Sequence, residues 1–244
     1  MAKKRSTSSM PARVLSWLLF AALPSLAACE EVETARYLRP VGTEYRLETT
    51  LRFENRNDGY TITSVTRRGT TTLTIASRFN DADELRFAKV TVASGDKEAV
   101  ADARQENGKA TITREKGKST VLDCPAGVIV TSAPDWTDTV MLMQRYDAQR
   151  GGEQQFAGLW IHPVREPLRL TLRVRPLGED FVTLDGKRMR LDRFQITLRN
   201  NSKYIGWRDQ QQRLIRLLPA GKTQPAIVLA GWEQATANLK PQPN

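Results

Sequence analysis

Polar and apolar residues alternate through most of the chain with a period of two, the pattern of strands buried on one face. Tyr45, Leu47, Thr49, Leu51 and Phe53 fall on one face, with Arg46, Glu48, Thr50, Arg52 and Glu54 on the other. Asn57-Asp58-Gly59 is a hairpin-turn signal, and Tyr60, Ile62 and Ser64 alternate beyond it. Arg67-Arg68-Gly69 turns the chain again, into a strand carrying Leu73, Ile75, Ser77 and Phe79. Residues 80–84 read as a polar loop and 85–93 as a strand. Glu106-Asn107-Gly108-Lys109 reads as another turn, with short strands at 111–114 and 119–122 beyond it. The many threonines fit this half, because β-branched side chains suit a pleated surface.

The second half resumes the pattern at 155–164, with Phe156, Leu159, Trp160 and Ile161. Leu168, Leu170, Leu172 and Val174 then alternate with Arg169, Thr171, Arg173 and Arg175. Segments 181–184 and 188–199 flank the turn Asp185-Gly186. A change of parity between Met189/Leu191 and Phe194/Ile196/Leu198 predicts a β-bulge near Asp192-Arg193. The last strands fall at 204–207, 213–218 and 226–229.

One helix interrupts the strands. Ser132-Ala133-Pro134-Asp135 offers a start, Trp136, Val140 and Met143 recur at helical spacing, and Arg150-Gly151-Gly152 offers a stop. The expected fold is therefore mainly β: a curved antiparallel sheet, as a half-barrel or open barrel, with one central α-helix around 134–148. Such a helix buries its apolar side by crossing the concave face or plugging one end.

The N-terminus has a different texture. Lys3, Lys4, Arg5 and Arg13 precede an apolar run from Val14 to Leu23, which Pro24-Ser25 ends. That run has the length of a signal-peptide core and falls short of the roughly 20 residues that a membrane-spanning helix needs. It ends in Leu26-Ala27-Ala28-Cys29, which resembles the bacterial lipobox. The resemblance implies cleavage before Cys29 and attachment of a diacylglycerol to its thiol. Two or more acyl chains make such an anchor stable. Lipoproteins of enteric bacteria with Asp after the lipid cysteine stay at the inner membrane. Glu30 occupies that position here, so the expected location is the cell envelope, facing the periplasm, with the outer membrane favoured. The expected organisation is a lipoprotein signal peptide over 1–28, a tether over 29–42, one β-rich domain over 43–231 and a C-terminal tail over 232–244. Many strands in series around one helix, behind a lipobox, also look like the lipoprotein-carrier type of exported domain. That likeness covers roughly 45–229 and implies a curved sheet with a helix in its concavity. It brings no catalytic residues with it.

Charge narrows the partners. The net charge of +10 falls to +6 once the four basic residues of the signal are removed. A moderate positive charge in an exported domain favours anionic lipid headgroups or envelope polymers, and the compartment excludes nucleic acid. If Cys29 carries lipid, Cys124 has no intramolecular partner, and burial is the expected state of its thiol.

No catalytic constellation stands out. His162 is the only histidine, so no metal cluster forms around it, and no cofactor motif is present. Gly117-Lys118-Ser119-Thr120 matches only the end of a phosphate-binding loop, because Ile112 stands where its first glycine belongs. Two candidate binding features emerge. Arg169, Arg173, Arg175, Arg188 and Arg190, in a wider basic ladder that includes Arg165, Arg193 and Arg199, are candidates for an anionic ligand. Trp136, Met143, Trp160 and Trp207 are candidates to line a cavity sized for an acyl chain. The leading expectation is a non-enzymatic, lipid-anchored binding or scaffold protein. The alternatives are an envelope hydrolase using His162, Glu166 or Cys124, and a structural subunit of an envelope complex with a protein partner. Replacing Cys29 by Ala is expected to move the protein from the membrane pellet to the soluble fraction. Continued membrane association of the variant would contradict the lipobox assignment.

Overall fold

The computed structural model describes residues 32–133 and 135–240. Fifteen strands form one sheet in the order β8-β7-β6-β5-β4-β3-β2-β1-β15-β14-β13-β12-β11-β10-β9. The first described strand lies in the middle of that sheet. β1 (Val32–Val41) pairs with β2 (Glu44–Arg56), and hairpins then step outward through β3 (Gly59–Arg68), β4 (Thr71–Phe79), β5 (Leu85–Ser94), β6 (Lys97–Glu106), β7 (Lys109–Thr113) and β8 (Ser119–Asp123). The chain next crosses to the far edge, where it forms β9 (Ile129–Thr131) and the helix α1 (Thr137–Arg145). It returns through β10 (Gln154–His162), β11 (Arg165–Leu184), β12 (Lys187–Thr197), β13 (Lys203–Arg208), β14 (Leu214–Pro219) and β15 (Ile227–Leu229). β15 then pairs with the free side of β1. The β9–β10 pair is parallel and every other pair is antiparallel.

Twist accumulates across so many strands, and a large open sheet curls. Here the two ends of the sheet come round to face each other. Arg114 pairs with Glu166 at 2.5 Å, Thr120 donates to Glu166 Oε1 at 2.9 Å, and Arg169 pairs with Asp123 at 2.8 Å. These contacts join the β7–β8 end to β11 through side chains, and no backbone ladder crosses the seam. The expected curved antiparallel sheet with one helix is thus the observed fold.

The helix occupies the concavity. Residues Thr137 to Met143 are buried, with Leu142 and Met143 fully so. Its ends carry the backbone groups that lack intrahelical partners. At the first turn, Asp135 Oδ2 accepts from the Thr137 amide at 3.0 Å, while Asp135 Oδ1 accepts from Ser64 at 2.6 Å and Thr66 at 3.0 Å. At the last turn, buried Arg208 donates to the carbonyls of Met143 at 2.9 Å and Tyr146 at 3.1 Å. Its guanidinium also lies 5.4 Å from the ring centre of Tyr146 and 4.9 Å from that of Phe194. Arg145 donates to the Gly127 carbonyl and, at 2.8 Å, to Tyr60 Oη. The helix is shorter than the expected 134–148. Tyr146 turns extended (φ −65°, ψ 118°) and packs edge-on against Phe194, which ends the helix before the glycines.

Three expectations from the sequence change. The stretch expected as a tether is, from Val32 onward, the strand at the centre of the sheet. Its inward anchor, Tyr37, is 1% exposed and donates to the Leu214 carbonyl at 3.1 Å. The expected tail covers the outer face of β12–β14. Arg193, Trp207 and Arg216 are cross-strand partners there. Trp207 Nε1 donates to Asp180 at 2.8 Å, and Arg216 donates to the Thr236 carbonyl at 2.6 Å. Trp232 and Thr236 are buried in the process. The bulge expected near Asp192-Arg193 lies directly across the ladder, where Leu177 of β11 is the extra residue opposite Arg193 and Phe194. Two strands gave no clear signal in the sequence, the three-residue β9 and the longer β6. The inward residues of β6 are Ala101, Ala103 and Gln105, too small or too polar to read as an apolar face.

Arg208 joins the helix end to the barrel wall, so truncating it leaves two buried carbonyls unpaired. Arg208→Ala is expected to lower unfolding free energy by about 3 kcal/mol in urea denaturation. A loss under about 1 kcal/mol would remove Arg208 as the anchor.

Candidate functional site

The chain from β9 into α1 forms the floor of a cavity of about 400 Å³ at one end of the barrel. Thr131, Ser132, Asp135 and Asp138 supply that floor. The end of β3 contributes Arg68, and the β10–β11 turn contributes Trp160, Arg165 and Leu170. The β12–β13 loop closes the circle with Leu198, Arg199, Asn200, Ser202 and Tyr204. That loop is tight, with Asn200 and Asn201 at φ 58° and 57°, a conformation asparagine tolerates better than most residues.

The cavity is cationic at its rim. Among the described residues, no carboxylate lies within ion-pair distance of Arg165 or Arg199. Arg199 lies 4.2 Å over the Trp160 ring, and His162 stacks on the same indole at 5.5 Å. Burial, together with Arg165 and Arg199, holds the His162 pKa below its ordinary value. Arg68 is held differently. Glu48 is 3% exposed, pairs with both Arg39 and Arg68, and accepts from Trp136 Nε1 at 3.0 Å. Glu48 owes its position to a β-bulge. Tyr37 pairs with Thr49 and Leu38 with Leu47, which leaves Glu48 as the extra residue of β2. The bulge re-aims it inward and turns Tyr45 and Leu47 to 37% and 45% exposure.

The floor is acidic. Asp138 Oδ1 accepts from the Thr139 amide at 2.7 Å and hydroxyl at 3.1 Å, and Oδ2 accepts from Thr131 at 3.1 Å. Burial, and then the neighbouring Asp135 charge, raise the Asp138 pKa to about 6 against those three bonds. Tyr204 above it is raised by burial and by Asp138. Two buried polar atoms beside the cavity, Ser132 Oγ and Trp160 Nε1, have no hydrogen-bond partner.

The residues singled out from the sequence separate. Trp136 and Trp160 line the cavity. Met143 is packed in the core, and Trp207 is fully buried away from the cavity, its indole N–H donating to Asp180. Arg169, Arg173 and Arg175 alternate with inward Leu170, Leu172 and Val174, and so face outward. Arg169 is paired with Asp123, Arg190 lies 3.3 Å from Glu179, and Arg188 stacks 4.1 Å over Phe181. Arg165 and Arg199 leave the ladder for the cavity. His162 accepts from the Val164 amide at 3.3 Å, and Glu166 is engaged at the seam. Cys124 is buried against Gln105, which raises its thiol to about 11. Cys29 lies outside the described residues. Arg68, Asp138 and Tyr204 were not singled out. Asp135, just before the N-cap of α1, and Asp138, in its first turn, are the closely spaced acidic pair that marks the site in the sequence.

No family model matches the chain, and no curated protein matches it. Solved structures that are similar include two proteins of unknown function. One is a DUF1089 family protein from Pseudomonas aeruginosa, 14% identical with a TM-score of 0.44, covering 71% of this chain and 90% of that one. The other is a beta-barrel-like protein of domain of unknown function DUF1849 from Brucella abortus, 14% identical with a TM-score of 0.45, covering 82% and 94%.

A carboxyl with a raised folded-state pKa binds its proton more tightly in the native protein. Its contribution to stability is therefore fullest below the ordinary value of 3.8 and is lost as pH rises through about 6. Relative to wild type, Asp138→Asn is expected to gain roughly 3 kcal/mol between about pH 4 and about pH 7. A pH-independent difference between the two would show that Asp138 titrates normally.

Proposed function

We propose that this is a lipid-anchored, non-enzymatic binding domain of the cell envelope that holds a small organic anion in the cavity above α1. The carrying observation is the pair of guanidiniums, Arg165 and Arg199, that face the cavity without a carboxylate partner among the described residues. Arg68 adds a third cation, oriented from behind by Glu48. Converging arginines suit planar oxyanions, and apolar walls with a few placed polar groups are the usual make-up of a small-molecule site. The lipobox-like segment supports the compartment, and the positive net charge suits anionic partners there.

An acyl chain is the less favoured occupant. The helix fills the concavity, and the void between it and β3–β4, lined by Ile62, Ile75, Phe79 and Met141, measures about 10 Å³. The outer arginines are also less favoured, because Arg169 and Arg190 already have carboxylate partners.

A panel of organic carboxylates and phosphate monoesters, read by tryptophan fluorescence, tests the assignment. The Arg165→Ala/Arg199→Ala double variant is expected to weaken binding by at least about ten-fold, and Arg173→Ala/Arg175→Ala to leave it unchanged. The reverse pattern, or no anion bound by wild type, would overturn it.

A further inference from the structure

We infer that the occupant of this cavity is a hydroxylated acid of the sugar-acid class, with its carboxylate at the arginine rim and its hydroxyls on the acidic floor. The inference rests on the anion-binding reading above and adds the chemistry of the ligand's other end.

The floor is a set of incompletely used hydrogen-bonding groups. A carboxylate offers about four lone-pair sites. Asp138 Oδ1 accepts two hydrogen bonds, and Oδ2 accepts one, from Thr131. Asp135 likewise accepts two on Oδ1 and one on Oδ2. Each Oδ2 therefore keeps room for a further donor. Ser132 Oγ, in a side chain 3% exposed, has no partner at all, and the same holds for the indole N–H of Trp160, also 3% exposed. An unpaired buried polar group is costly, so a bound molecule that donates to the two free Oδ2 positions, and toward which the Ser132 hydroxyl and the Trp160 indole, both closed to solvent as placed, can turn, completes the hydrogen bonding.

That combination selects among anions. Inorganic phosphate satisfies the rim but carries only one or two P–O–H donors, set on the charged group itself, so it cannot span from the rim to the floor, and its charge is repelled by Asp138. A fatty acid satisfies the rim and presents methylenes to the floor, which strands the carboxylates and Ser132. A sugar acid carries a carboxylate at one end, hydroxyls that both donate and accept at the other, and an apolar ring face between them. Trp136, Leu170 and Leu198 provide a wall for that ring face. The cavity volume of about 400 Å³ lies within the range of small-molecule sites.

The test is calorimetric binding of three probes to the full chain above the titration range of Asp138: glucuronate, cyclohexanecarboxylate and inorganic phosphate. Cyclohexanecarboxylate keeps the ring and the carboxylate but has no hydroxyl. Glucuronate is expected to bind at least about ten-fold more tightly than either of the others. Ser132→Ala and Asp138→Asn are each expected to weaken glucuronate several-fold while leaving cyclohexanecarboxylate unchanged. The wild-type comparison stands even where a variant fails to fold. Equal or tighter binding of cyclohexanecarboxylate or phosphate overturns the hydroxylated class and leaves the anion site intact. Failure of all three probes, together with failure of the wider anion panel, overturns both.

Discussion

The structure depends on burying one polar-ended helix inside a coiled sheet. Without α1 the concavity would be an open apolar trough. With it, Leu142 and Met143 fill the centre of the core. A nine-residue helix is marginal on its own in water, so its stability comes from what surrounds it. Its ends cannot be left bare in an apolar interior, because their backbone groups need partners. The barrel wall supplies them. Ser64 and Thr66 of β3 hold Asp135 at one end, and Arg208 of β13 takes the last carbonyls at the other. These two strands lie on opposite sides of the β1–β15 pairing. The helix therefore cross-links the two meanders of the sheet, while the seam between its edges is held only by side-chain contacts such as Arg169 with Asp123.

The same anchoring creates the site. Asp135 ties the start of the helix to β3, which brings Asp138 and Trp136 under the β10–β11 and β12–β13 turns. Trp136 and Arg68 are both fixed by Glu48, whose burial follows from the bulge in β2. The cavity is thus a consequence of how the helix enters the barrel. Its acidic floor belongs to the chain that leads from β9 into the helix, and its cationic rim belongs mainly to the turns that the sheet presents above it.

Much of the sheet was legible because alternation is a local property. The β2–β3–β4 hairpins, the Leu168–Val174 run and the single helix all follow from spacing and turn residues. Legibility failed where long-range geometry decided. Glu48 reads as a solvent residue until the bulge against β1 reverses its direction. Val32–Val41 reads as a tether because only Tyr37 on it is fully buried, and its pairing partners are hydrogen bonds to β2 and β15 that no side-chain pattern announces. Arg165 and Arg199 sit in a run of basic residues, and only the two turns that carry them set them apart from Arg173 and Arg175. The parity change near Arg193 was correctly felt as an irregularity, yet the extra residue belongs to the neighbouring strand. Trp207, an attractive cavity residue by type, is buried instead beside its cross-strand partner Arg216 with its indole N–H on Asp180, and the docking of the C-terminal segment through Arg216 and Thr236 leaves no periodic trace.

On the reading proposed above, a ligand is held in the cavity above the helix and not on the outer basic face. A crystal structure of the protein grown with glucuronate tests it most directly. Ligand density is expected between Arg165, Arg199 and the Asp138 floor, with α1 unmoved. Density on the outer face at Arg173 and Arg175, with the cavity holding only water, would contradict it.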